Sequence, residues 1–162
     1  MKKILSIFLS IVFIISFFNI NTIAISDDNF VPYVVEFNIL ELNNVPLQEE
    51  NSTRATGLIT SYGLNLYKTG TTLEITGRTH GMYEVVKCGF KDLTIQRRKT
   101  SSDSWEDYYE YGNVYANAVA ANLDTTLVVE SGYQYRISCK HYAKKNLLSV
   151  QTIANTSNIV IV

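Results

Sequence analysis

Residues that carry chemistry are scarce in this chain of 162: it has two histidines, two cysteines and one tryptophan. His80 and His141 stand far apart, and there is no H-x-H, H-E-x-x-H or cysteine-pair spacing. A structural or catalytic zinc site is therefore not expected, and no metal or other cofactor is implied. Serines are plentiful, but the G-x-S-x-G turn that exposes a nucleophilic serine is absent. Cationic charge is also thin, with 14 Lys and Arg against 15 Asp and Glu for a net charge of −1. Nucleic-acid binding needs a dense basic patch or stripe, so no nucleic-acid partner is expected. There is one long apolar run, Ile4 to Phe18, broken only by Ser6, Ser10 and Ser16.

That run follows Met1-Lys2-Lys3 and leads to polar Asn19 and Asn21, with the small residue Ala24 at a plausible cleavage point. A cationic start, a short apolar core and a small residue before polar chain are the parts of a secretory signal. The core falls short of the ~20 residues a spanning helix needs. Residues 1–24 thus read as a signal peptide, with an uncleaved anchor as the alternative. The remainder reads as secreted or envelope-associated, with no membrane insertion after cleavage. In an oxidising compartment an even cysteine count favours a Cys88–Cys139 disulfide. It would close a loop of about 50 residues and contribute roughly 4 kcal/mol. Two reduced thiols are the alternative.

Charge divides the rest of the chain. Ser26 to Thr53 carries Asp27, Asp28, Glu36, Glu41, Glu49 and Glu50 and no Lys or Arg, whereas Arg54 to Val162 carries twelve basic residues against nine acidic. Residues 25–55 read as a loosely ordered acidic linker or pro-segment, although Val34, Val35, Phe37, Ile39 and Leu40 are apolar enough to add a strand or short helix. Residues 56–162 read as β throughout. Leu73 and Ile75 alternate with Glu74 and Thr76, and Leu93 and Ile95 continue the core pattern. Strands are expected over 57–67, 72–79, 83–88, 93–97, 105–111, 125–130, 133–142, 147–153 and 159–162. Tyr115 to Leu123, with four alanines, is the one segment that looks helical. Many short strands separated by turn signals suggest a sandwich or barrel.

The stretch Val129-Glu130-Ser131-Gly132-Tyr133-Gln134-Tyr135-Arg136-Ile137-Ser138-Cys139 resembles the turn into the sixth strand of fibronectin type III domains. The resemblance implies that Tyr135 is the corner tyrosine and that Ile137 and Cys139 face the core. The longer pattern of Ile95-Gln96-Arg97, a polar turn, Trp105, Tyr135-Arg136-Ile137 and a final apolar strand resembles small secreted proteins of Gram-positive bacteria, a domain family of unknown function. Together these imply an all-β fold, a single immunoglobulin/fibronectin III-like sandwich of about seven to eight antiparallel strands.

Aromatic residues are the feature most suggestive of function. Ten of the 11 tyrosines lie in the β region. On strict alternation Trp105, Tyr109 and Tyr111 share a face, with Tyr108 opposite and Tyr115 following. Aromatic rings stack on sugar C–H faces, and tyrosine is favoured at protein interfaces. With Asp107, these residues form the candidate contact surface of a non-catalytic binding module for a protein or carbohydrate ligand. The competing reading places the aromatics in the core, since they are good strand formers. Glu106 and Glu110 would share a strand face and supply the carboxylate pair of a small hydrolase. A third reading is a secreted inhibitor or effector whose acidic segment is removed near Arg54.

Overall fold

Apolar side chains at every second position drive this chain into strands that bury one face. In the computed structural model, which describes residues 30–42, 53–54 and 57–162, these are β1 (Tyr33–Leu42), β2 (Thr53–Arg54), β3 (Ile59–Thr69), β4 (Thr72–Gly81), β5 (Lys87–Arg98), β6 (Glu106–Ala116), β7 (Ala120–Val128), β8 (Gln134–Lys144), β9 (Val150–Thr156) and β10 (Val160–Ile161). The expected signal peptide lies outside the described residues.

Two antiparallel sheets result. The first has the order β1-β7-β4-β3-β2; the second runs β10-β8-β5-β6, with β9 also on β8. β9 pairs with Ser138–Lys144 and β10 with Gln134–Tyr135, so the two share one edge of β8. Ser157 bridges the gap between them: its N–H donates to Ile137 O and its Oγ accepts from Ile137 N–H, both at 2.9 Å. The result is an all-β sandwich of two antiparallel sheets.

The main core lies between the sheets. Leu73, Ile75, Leu93, Ile95, Tyr135 and Ile137 are all fully buried there. Tyr135 Oη donates to Glu130 O at 2.7 Å, the corner geometry of such sandwiches, with Gly132 at φ 88° supplying the turn before it. A second, smaller cluster at one end joins Ile59, Val85, Cys88, Ala116, Ala118, Ala121 and Ala143.

Four expectations are corrected. Residues 33–42 are not loose linker: β1 pairs with β7 from Tyr33↔Val128 to Leu42↔Ala120, and Val34 and Ile39 pack against the cores. The sandwich therefore begins before residue 56, and Val31–Val162 forms one compact unit. Tyr115 to Leu123 is not helical. It spans the end of β6, a turn and the start of β7, and Ala116, Ala118 and Ala121 supply the small side chains that the end cluster admits. Burial here overrides their helix preference.

Cys88 and Cys139 are unpaired and both buried. Cys88 lies opposite Ala143, four residues along β8 from Cys139, which corresponds to about 13 Å of strand. A disulfide needs Cα atoms within about 7 Å. Finally, the strand expected at 83–88 is mostly the β4–β5 loop, and its last two residues, Lys87 and Cys88, belong with 93–97 to one strand, β5. A bulge around Asp92, whose φ is 54°, bends it without ending it.

Candidate functional site

The candidate hairpin is shaped by the register of β5 against β6. Leu93 pairs with Gly112 but Thr94 with Glu110, and Ile95 with Tyr109 but Gln96 with Asp107. Tyr111 and Tyr108 are each left as an extra residue on β6. Each bulge resets the alternation, so Tyr108, Tyr109 and Tyr111 all pack against the main core. Tyr109 meets Tyr111 at 5.0 Å between ring centroids, Phe37 of β1 covers Tyr111 at 5.6 Å, and Tyr108 meets Tyr135 edge-on at 5.5 Å. Burial pushes the Tyr111 hydroxyl up to about 12. The face expected to hold Trp105, Tyr109 and Tyr111 together does not exist: the tyrosines turn inward and the tryptophan does not.

Trp105 precedes β6 over the outer face of the second sheet. The guanidinium carbons of Arg98 and Arg136 stand 4.4 and 4.3 Å from its ring centroid. Arg98 comes from β5 and Arg136 from β8. Their hydrogen-bond partners are neutral: Arg98 donates to Gln134 Oε1 and Ser101 O, and Arg136 to Gln96 Oε1. Neither is in an ion pair within 4 Å among the described residues. Burial, then the charge of Arg98, lowers the pKa of Arg136 below its ordinary value. Arginine nevertheless remains charged. Two cations are thus gathered on one indole with no carboxylate in direct contact among the described residues, although the Asp103 carboxyl, held low first by its hydrogen bonds from Thr100, also feels the charge of Arg98.

Asp107 is exposed and accepts from Gln96 Nε2 at 2.8 Å. At the other end of the same outer face Tyr115 packs on Tyr142 at 4.8 Å, with Lys87 Nζ 4.5 Å above its ring. Thr94, Ser138 and Glu110 meet in the register between these aromatic ends. Arg98, Arg136 and Tyr142 escaped the sequence reading because only strand pairing brings β5, β6 and β8 together. The alternation in Tyr135 to Tyr142 was their one visible sign.

The chain matches no family model, no curated protein and no solved structure.

The carboxylate pair is placed less suggestively. Glu106 accepts from Arg97 Nε at 2.6 Å, and both Glu106 and Glu110 are exposed. General-acid work by a carboxyl needs a shielded position that raises its pKa.

A polar constellation that the sequence left in doubt lies inside. His141 is fully buried, with Nδ1 2.8 Å from Thr79 Oγ1. Thr79 Oγ1 donates to Gly89 O at 2.9 Å, so it accepts from His141 Nδ1–H. Nε2 is then the acceptor, 3.2 Å from Asn155 Nδ2 and 3.9 Å from Cys139 Sγ. The Cys-His-Asn grouping superficially suits a thiol nucleophile, but burial pushes the Cys139 thiol up to about 12 and pulls His141 down to about 4. An activated thiolate–imidazolium pair requires the opposite shifts. This is a neutral network that satisfies buried groups.

A second outer surface was not anticipated. On the first sheet an open recess of about 410 Å³ is lined by Leu40, Asn65, Tyr67, Arg78, Asn122 and Asp124, among others. Gly63 is paired with Arg78, and its missing side chain leaves room in the floor. These residues come from β1, β3, β4 and β7, and no local motif links them.

Proposed function

We propose that this chain is a secreted, non-catalytic binding module whose contact surface is the outer face of β6, β5 and β8, from Trp105 to Tyr115. The carrying observation is the indole of Trp105 set against two guanidiniums, neither of which has a carboxylate within 4 Å among the described residues. Aromatic and arginine side chains are the residues most often found at binding hot spots. The cation pair favours a ligand that presents an acidic group, on either a protein or a glycan. Tyr115 and Tyr142, with Lys87, offer a second contact along the face.

The test is binding of labelled residues 25–162 to acidic and neutral glycan panels and to whole bacterial envelopes. Trp105→Ala and Arg136→Gln should each weaken binding by about tenfold or more while leaving the fold intact. Tyr67→Ala, on the opposite sheet, should change nothing. Equal binding by all variants would refute this surface. Tyr109 and Tyr111 are poor probes, because alanine there would open the core.

A further inference from the structure

One end of the sandwich exposes apolar side chains on two adjacent loops. The β4–β5 loop presents Met82 at 37%, Tyr83 at 85% and Val86 at 57% exposure; the β8–β9 turn presents Leu147 at 86% and Leu148 at 97%. Turn tips are ordinarily built from Gly, Asn, Asp and Ser, so two consecutive leucines there are unusual. The turn is ordered by its own bonds: Lys145 N–H donates to Ser149 O at 3.0 Å and Leu148 N–H to Asn146 Oδ1 at 2.9 Å. Val86 N–H donates to Lys144 O at 2.9 Å, and Lys145 pairs with Glu84, so the two loops are tied together. The leucines are held outward by this framework. At nearly full exposure they line no recess.

Charge at this end is one-sided. Lys87 and Lys144 face each other across β5 and β8, and Lys145 follows. Among the described residues of the two loops and these strand ends, Glu84 is the one carboxylate. Protruding leucines, a tyrosine at their flank and lysines behind them match the layers of a lipid surface. Apolar tips enter the acyl boundary, aromatic rings sit at headgroup depth, and cations meet anionic headgroups.

We infer that this loop end docks the domain onto an anionic lipid surface, with Leu147 and Leu148 entering the interface and Lys87 and Lys144 contacting the headgroups. The mode is peripheral and reversible, because two loops supply far less apolar length than a spanning segment. It shares Lys87 with the far end of the Trp105 face but rests on loop residues that face does not use.

The test is co-sedimentation of residues 25–162, freed of the apolar leader, with vesicles of phosphatidylcholine alone or mixed with phosphatidylglycerol. Every described strand lies within Val31–Val162, so this fragment retains the whole sandwich. Binding should appear on the mixed vesicles and weaken with added salt. Each of Leu147→Ser and Leu148→Ser should reduce it by about tenfold, and Lys144→Ala by about fivefold. Unchanged thermal melts would confirm that the variants fold. Absence of vesicle binding by the unaltered protein, or equal binding by the serine variants, would overturn the inference. So would a dimer that the Leu147→Ser/Leu148→Ser pair converts to monomer without affecting sedimentation, since the patch would then cover a second copy.

Discussion

The Asn158 side chain holds both backbone groups of Leu66: Leu66 N–H donates to Oδ1 at 2.9 Å, and Nδ2 donates to Leu66 O at 2.7 Å. An amide side chain thereby completes the pairing of β3, whose edge β2 occupies only at Ser61 and Tyr62. Gln151 makes a related contact, accepting from Ile59 N–H at 2.9 Å. These clips join the chain entering β10, and β9 itself, to the opposite sheet. They explain how a sandwich without a disulfide closes along this side.

Replacing Asn158 with alanine should therefore destabilise the domain by about 1–3 kcal/mol, the range for two lost backbone contacts. Asn158→Asp should also destabilise it, because a carboxylate accepts from Leu66 N–H but repels Leu66 O. Urea unfolding curves of the three proteins measure both effects.

The corner bond predicts a comparable loss. Tyr135→Phe keeps the ring and removes only the donor to Glu130 O. Stability should fall by about 1 kcal/mol with no change in the strand signature of circular dichroism.

Stability should also depend on the protonation of His141. Unfolded, the imidazole takes a proton near its ordinary value of 6.5; folded, desolvation holds it at about 4. Between those values the unfolded chain binds more protons, so stability is fully present above pH 6.5 and falls as the pH drops toward 4. The loss is about 3 kcal/mol. Thr79, Asn155, Cys139, Tyr62 and Phe90 surround the ring and supply no charge that would offset it. Urea melts across this window should show the slope, reduced in His141→Phe. A flat profile for the unaltered protein would contradict the burial argument.

Much of the sandwich was legible because its core obeys a period of two: Leu73 and Ile75, Leu93 and Ile95, Tyr135 and Ile137 were each visible as alternating positions. The hairpin was not, since its bulges reset the alternation twice between Asp107 and Gly112 and no local composition marks a bulge there. β1 was obscured by the acidic charge around it, although its apolar residues were apparent. Its partner β7 is distant in sequence, and only that pairing gives Val34 and Ile39 a core to join. The final long strand was expected from Leu147 but starts at Val150, because the two leucines form the turn. The tryptophan face was half legible: Trp105 and Tyr115 were visible, while the arginines that define its charge come from neighbouring strands.

The cysteines provide a simple chemical check. Both thiols are buried, and Cys139 is further protected by its raised pKa. Native protein should react slowly with a thiol reagent and fully once unfolded, and a reducing agent should leave the melting temperature unchanged. A mass lower by two hydrogen atoms, restored by reduction, would instead reveal a bridge.

The most direct test of the binding surface is mapping of backbone amide shifts by NMR as residues 25–162 are titrated with an acidic glycan or envelope protein that the binding panel identifies. The shifts should gather on β5, β6 and β8 around Arg98, Trp105, Arg136 and Tyr115, and Trp105→Ala should abolish them. Shifts gathered on β3, β4 and β7 around Arg78 and Asp124 would contradict the proposal and assign binding to the recess on the opposite sheet.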